Sequence, residues 1–219
     1  MNAIHFTVRR LAIGVALAAL WLPITVSAAV DLSAPKSTAK SFYEAMGNAD
    51  SSAMRDCLLI EGADQQKLAD AFLDVILAGK KLADAAHDKF GASGEKLAAG
   101  AITHEDAAAI DQAKEIDQGD DVTLAINPDR KPLKFRKTPG GWKLVLLDYA
   151  GAKNENLPEQ IKLLASLSAA MNDTADDITA GRFPTTADAE AAIQQRFSEV
   201  MVKHYKPATT RATGIENRK

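Results

Sequence analysis

Along most of the chain apolar residues recur every three or four positions; in one stretch they alternate with polar ones. The first rhythm predicts amphipathic helices and the second strands with one buried face. Ala39, Phe42, Tyr43 and Met46 form a helical stripe, and Gly47 can end it because glycine adopts left-handed backbone without strain. Asp50 or Ser51 then caps a second helix that turns Met54, Cys57 and Leu58 inward and stops near Gly62. The longest periodic run, from Asp64 to Gly91, places Leu68, Phe72, Val75, Ile76, Gly79, Leu82, Ala83, Ala86 and Phe90 on one face. Gly79 weakens a helix relative to alanine, which points to a close approach by another element. Residues 92–103 are rich in Gly and Ala and read as loop, and Thr103 with Asp106 is spaced to cap a short helix.

The alternating stretch follows. Residues 113–118, 122–126, 133–137 and 142–147 are four short strand candidates, separated by Gly119-Asp120-Asp121, Asn127-Pro128-Asp129 and Pro139-Gly140-Gly141. Connections this short make neighbouring strands antiparallel. Leu133 and Phe135 alternate with Lys134 and Arg136, and Trp142, Leu144 and Leu146 with Lys143 and Val145, so one face is apolar and the other largely basic. A basic face of this kind is a solvated surface that also discourages edge-to-edge pairing.

Beyond it the helical rhythm returns. Asn156 and Glu159 are spaced as a capping box before a stripe of Ile161, Leu164, Ser168, Met171, Ala175 and Ile178, closed by Gly181. Thr185 caps a last helix with Ala189, Ile193, Phe197, Val200, Met201 and His204 on one side. The short joint predicts a helical hairpin over residues 155–205, and the polar residues 206–219 read as a flexible tail.

The first 28 residues fall outside this scheme. Arg9 and Arg10 precede an apolar run from Leu11 to about Ile24, and Val26-Ser27-Ala28 is a small-x-small cleavage pattern. That is the layout of a secretory signal peptide, and the run is shorter than the roughly 20 residues of a spanning helix. The expectation is an exported protein, periplasmic or extracellular, with no integral membrane segment after cleavage. Cleavage removes Arg9 and Arg10 from 26 basic side chains and none of the 29 acidic ones, for a net charge of about −5. Such a balance argues against nucleic acid, which needs clustered Lys and Arg. Cys57 is the single cysteine, so no internal disulfide forms, and its apolar neighbours mark it as a packed side chain rather than a reactive thiol.

The order of these elements resembles the nuclear transport factor 2-like (SnoaL-like) superfamily. The resemblance lies in "FYEAM" on the first helix, the "GNAD" turn, and the closing "PLKFRKTPGGWKLVL" with its Gly-Gly-Trp-Lys strand. It covers roughly residues 36–150 and includes exported bacterial members of unassigned function. It implies an α+β fold in which N-terminal helices pack on a short antiparallel meander sheet, cone-like, to which the C-terminal α-helical hairpin is an addition. It also implies a cone interior, for which Phe42, Tyr43, Met46, Phe72, Phe135 and Trp142 are the candidate lining residues. Members of the superfamily either bind small molecules, dimerise, or act as isomerases and dehydratases through an Asp, His or Tyr inside the cone, so the fold alone supplies no reaction.

The chemistry-bearing residues are sparse. No His-x-x-x-His, Cys-x-x-Cys, calcium-loop, phosphate-loop, dinucleotide or nucleophile-elbow pattern occurs, and no cofactor is expected. His87, His104 and His204 lie far apart: His87 is beside its helix's apolar stripe rather than squarely in it, His104 is at a helix start, and His204 is near the frayed end of the last helix. The leading expectation is a non-catalytic module that binds a small apolar ligand or a protein partner. The alternatives are an isomerase- or dehydratase-type enzyme using Tyr43 with Asp56 or Asp148, and an interaction protein whose added hairpin plugs the cone or forms a homodimer. An open, lined cavity separates the ligand readings from a filled interior.

Overall fold

A computed structural model of the chain describes residues 29–94, 97, 107–127 and 129–204. The signal-peptide stretch, the Thr103–Asp106 capping pair with His104, most of the 92–103 loop and the C-terminal tail lie outside the described residues. Among those described, the fold is α+β, with seven α-helices and an open, five-stranded mixed sheet. No helix in them is long and apolar enough to cross a membrane.

Helix α1 (Pro35–Gly47) starts on a proline, whose fixed backbone suits a first turn, and buries Ala39, Phe42, Tyr43 and Met46. The left-handed residue after it is Ala49 (φ 54°) rather than Gly47, which stays helical. Helix α2 (Ser51–Cys57) is capped by Asp50, whose Oδ1 accepts the Ala53 N–H at 3.0 Å. It ends before Leu58, not near Gly62. Leu58 and Leu59 instead form strand β1 (Leu58–Leu59), and Leu58 is buried there as a strand residue.

Helix α3 (Gly62–Phe90) begins two residues before Asp64 and ends at Gly91, which takes φ 61°. Gln65, buried among apolar neighbours, is satisfied because its Oε1 accepts the Glu61 N–H at 2.9 Å. Gly79 is buried, whereas Phe72, Val75 and Ala83 are only partly so. A short helix α4 (Ala107–Gln112) brings Ile110 into the core.

The four expected strands are β2 (Lys114–Gln118), β3 (Asp121–Ala125), β4 (Leu133–Thr138) and β5 (Gly141–Val145), and they pair antiparallel in chain order. The sheet is nonetheless mixed, because β1 adds to β5 in parallel and gives the order β1-β5-β4-β3-β2. The basic residues Lys134, Arg136 and Lys143 therefore sit on inner strands and guard no edge. They meet acceptors on the outer face instead: Arg136 and Lys134 both pair with Asp121. Those two cations, Arg136 through the stronger hydrogen bond, pull the Asp121 carboxyl down to about 2. On the other face Val122, Leu124, Leu133, Phe135 and Leu144 are buried against the helices.

β5 is held from outside by the extended residues before α1. The Trp142 N–H donates to the Leu32 carbonyl at 2.8 Å, and Thr38 Oγ1 donates to the Trp142 carbonyl at 3.2 Å. This approach requires the glycine at 141, where φ is 106° and a Cβ would lie 2.6 Å from the Leu32 oxygen.

After β5 the backbone coils into α5 (Leu146–Tyr149), so Leu146 and Leu147 are helical rather than extended. Helix α6 (Leu157–Thr179) follows a 3₁₀ turn in which Asn156 Oδ1 accepts the Lys153 N–H at 2.8 Å. Asn156 thus caps that turn, and the expected pairing with Glu159 does not form. Helix α7 (Thr186–His204) has the cap expected at Thr185, and it is reciprocal: the Thr185 Oγ1 accepts the Asp188 N–H and Asp188 Oδ2 accepts the Thr185 N–H. Met201 is 43% exposed and does not join the buried stripe of α7.

Two apolar cores result. The first gathers α1, α2, the sheet and the opening turns of α3 and α6 around Phe42, Leu68, Phe135 and Leu144. The second joins the far halves of α3 and α6 to α7 through Leu82, Ala86, Met171, Ala175, Ile178 and Ile193. Helices α3 and α6 run side by side in the same direction, tied by Ser168 Oγ to the Asp74 carbonyl and by Lys81 to Asp176.

Candidate ligand-binding cavity

The first core does not fill its space. Between α1, α3 and the far end of the sheet lies a cavity of about 340 Å³, within the range of small-molecule sites, roughly 300–1,000 Å³. Helix α1 contributes Tyr43 and Met46, helix α3 contributes Phe72, Val75 and Ile76, the sheet contributes Leu124 and Leu133, and Ile126 lies just beyond the end of β3. The mouth is polar. It is built from the β3–β4 loop (Asn127, Arg130, Lys131, Pro132) and from Asp148 and Tyr149 of α5.

The spacing of these residues follows from local structure. Tyr43 and Met46 are three apart, as are Phe72 and Val75, so each pair shares one helix face. Leu124 faces the helices from β3, and Leu133 from the start of β4. Phe42, Phe72 and Tyr149 form an aromatic wall. Phe42 meets Tyr149 edge-on at 5.4 Å and stacks near Phe72 at 6.5 Å, and Phe72 meets Tyr149 edge-on at 5.5 Å. Such offset contacts add about 0.5–1.5 kcal/mol per pair beyond area burial and hold the wall in place.

The loop at the mouth is pinned at both ends. Asn127 Oδ1 accepts the Asp129 N–H at 2.9 Å, and the Arg130 N–H donates to the Asn127 carbonyl at 3.2 Å. Lys131 Nζ reaches across to the Asp148 carbonyl at 2.7 Å and to its Oδ1 at 3.0 Å.

Of the six residues the sequence nominates, Tyr43, Met46 and Phe72 line the cavity. Phe42, part of the aromatic cluster, is fully buried in edge contact with Tyr43 at 5.6 Å and does not itself border the cavity. Phe135 is fully buried in the core and does not border the cavity. Trp142 is half-buried beside the extended N-terminal residues, with Lys137 Nζ 6.0 Å above its ring, and it also does not border the cavity. The pairing Lys137↔Trp142 sits at the turn end of the β4–β5 hairpin, whereas the cavity opens at the opposite end of β4. Tyr149, Ile126, Arg130 and Lys131 were not nominated. "NPDRKP" signals only a turn, and the expectation of a strand through Leu147 hides the coil that swings Tyr149 inward.

Of the acid–base pairs the sequence offers, Tyr43 and Asp148 both border the cavity, whereas the pair of Tyr43 with Asp56 does not. Asp148 is at the mouth, held by the Lys131 ammonium, and Asp56 is exposed and does not line the cavity. His87 is exposed on α3. Ser166 Oγ and His204 Nε2 lie 2.9 Å apart, but the serine is mid-helix, where backbone N–H groups are spent on the helix and cannot form an oxyanion hole. Cys57 is fully buried, and desolvation pushes its thiol up to about 12, so it carries no thiolate nucleophile. Among the described residues no group of three or more His, Cys, Asp or Glu could hold a metal ion. Comparison with protein-family models, curated proteins and solved structures finds no match to this chain.

Proposed function

We propose that the protein is an exported, non-catalytic binding module of nuclear transport factor 2-like organisation that takes a small apolar ligand between α1, α3 and the sheet. The observation that carries this reading is the cavity of about 340 Å³, walled by Phe72, Ile126 and their neighbours and rimmed by polar groups. Apolar walls supply affinity by releasing water, and the few polar groups at the mouth orient what enters. The order of helices and antiparallel strands, ending in the Gly141-Trp142-Lys143 strand, supports the superfamily reading. The leader of residues 1–28 supports export. Helices α6 and α7 act as an added helical hairpin that braces α3 from behind, so the cavity wall it presents stays rigid.

The test is uptake of the uncharged fluorophore N-phenyl-1-naphthylamine by the purified protein. Enhanced, saturable fluorescence is expected for the wild type, with uptake reduced at least tenfold by Ile126→Trp, which fills the cavity from the sheet side. Equal uptake by both proteins, with the variant's circular dichroism unchanged, would sink the reading.

A further inference from the structure

We infer that removal of the leader creates an α-ammonium group at Ala29 that docks in a small acidic pocket on α1, pairs with Glu44 and latches the extended residues along the edge of β5. This rests on the export reading above and is independent of the cavity reading. Strand β1 covers β5 only at Leu144 and Val145. Beyond it Leu32 takes over, its carbonyl accepting the Trp142 N–H. Val30 and Leu32 pack against the first core, and the Asp31 N–H between them donates to Ser41 Oγ at 3.0 Å. The segment is thereby held against α1 up to its first residues.

Those first residues, Ala29 and Val30, border a pocket of about 40 Å³ together with Ser41, Glu44, Asn48 and Asp50. The space suits an ammonium, since a group the size of water needs about 10–15 Å³. Both charged groups that line it, Glu44 on α1 and Asp50 ahead of α2, are acidic, and no basic side chain lines it among the described residues. Asp50 Oδ1 is engaged by the Ala53 N–H, and the Asp31 carboxylate by the Ser33 N–H. Glu44 forms no ion pair among the described residues. The cleavage pattern Val26-Ser27-Ala28 ends immediately before Ala29. Hydrolysis of the Ala28–Ala29 bond places the hydroxyl of water on the Ala28 carbonyl and frees the Ala29 nitrogen as an amine. That amine is protonated below about pH 8. In the uncut chain the same nitrogen is an uncharged amide, so Glu44 gains its partner only after cleavage.

The experiment secretes the full chain into a bacterial periplasm, reads its first residue by intact mass, and compares the melting of purified chains that start at Ala29 and at Ser27. The Ala29 chain is expected to melt about 2 °C higher between about pH 5 and 7. Pairing holds the proton on the folded ammonium, so the gap should close as pH rises past about 8. Glu44→Gln, at an exposed position, should remove the gap from the Ala29 chain and leave the Ser27 chain unchanged. At pH 7 acetic anhydride should acylate the Ala29 amine about threefold faster in that variant. A melting gap that Glu44→Gln leaves intact, or equal acylation rates, overturns the pairing. A secreted chain that starts at Val30 overturns it and leaves export standing, whereas a leader left in place overturns both.

Discussion

The two cores are built from the same pair of helices yet solve opposite problems. The first is rich in aromatics: Phe42, Tyr43, Phe72 and Tyr149 meet at angles that leave a gap against the sheet. The second is packed from Ala78, Ala86, Ala175, Ala189 and a few larger side chains, with Phe90, Phe183 and Phe197 partly buried against it. What the second lacks in bulk it makes up in charge. Asp177 accepts from Arg196 and Arg182, and Arg196 also donates to Thr174 Oγ1. The Arg196 hydrogen bond first, and then the charge of Arg182, hold the Asp177 carboxyl below its ordinary value. Small residues let helices approach closely enough for ion pairs to lock them. The contrast is between a core that leaves an apolar cavity and one whose helices are locked by ion pairs.

The sharpest way to break the contrast is to remove the aromatic wall. Phe42→Ala should destabilise the protein by about 3–5 kcal/mol in chemical denaturation, the usual cost of deleting a buried phenylalanine. It should also enlarge the cavity, so naphthylamine uptake should change in the fraction that remains folded. A smaller effect is expected from the second core. Asp177→Asn strips the charge partner from two arginines and should cost about 1–3 kcal/mol, the worth of hydrogen bonds between charged groups. Fluorophore binding should survive, because Asp177 lies in the other core.

Gly141→Ala tests the first core from outside. It sets a Cβ against Leu32 in a backbone conformation that only glycine tolerates, and should cost about 1–2 kcal/mol, with faster proteolysis ahead of α1. The smallest effect is acid-dependent. Asp121 titrates at about 2 in the fold, against about 3.9 when unfolded. Its contribution is therefore complete above about pH 4 and lost as pH falls toward 2, since the unfolded chain binds the proton first. Asp121→Asn should flatten the acid limb of the stability curve only slightly, because exposed pairs are well screened. Cys57 adds a check on the integrity of the first core: a thiol reagent should label it only as the protein unfolds.

The helices were legible because their burial repeats at the helical period. The Leu68, Ile76, Leu82 and Ala86 stripe of α3 is buried as its spacing says. The same stripe gave no hint that Ala69, Ala71, Leu73 and Ala78, off its axis, are buried too. Periodicity reports one wet face, and α3 is covered on more than one side, so the signal is blurred where packing is densest. The four antiparallel strands were legible from their turns. Strand β1 was not, since two leucines at a helix end look like one more helical turn until Leu144 and Val145 lie alongside. Half of the cavity lies in helical stripes and strands, where Tyr43, Met46 and Phe72 could be named. The other half hangs on a loop and a one-turn helix whose direction no local pattern encodes, and Arg130, Lys131 and Tyr149 could not be placed before the fold existed.

Helix α3 spans 29 residues, about 43 Å at 1.5 Å per residue, and no proline interrupts it. Its first half seals one core and its second half the other, so neither can melt without stranding apolar surface of the same rod in water. The two should therefore lose structure in a single step, by heat or by urea, with every optical probe tracing the same curve. The molecule thus behaves as one thermodynamic unit, and a small molecule held in the cavity should raise the melting temperature of the far helices as much as that of the cavity's own walls.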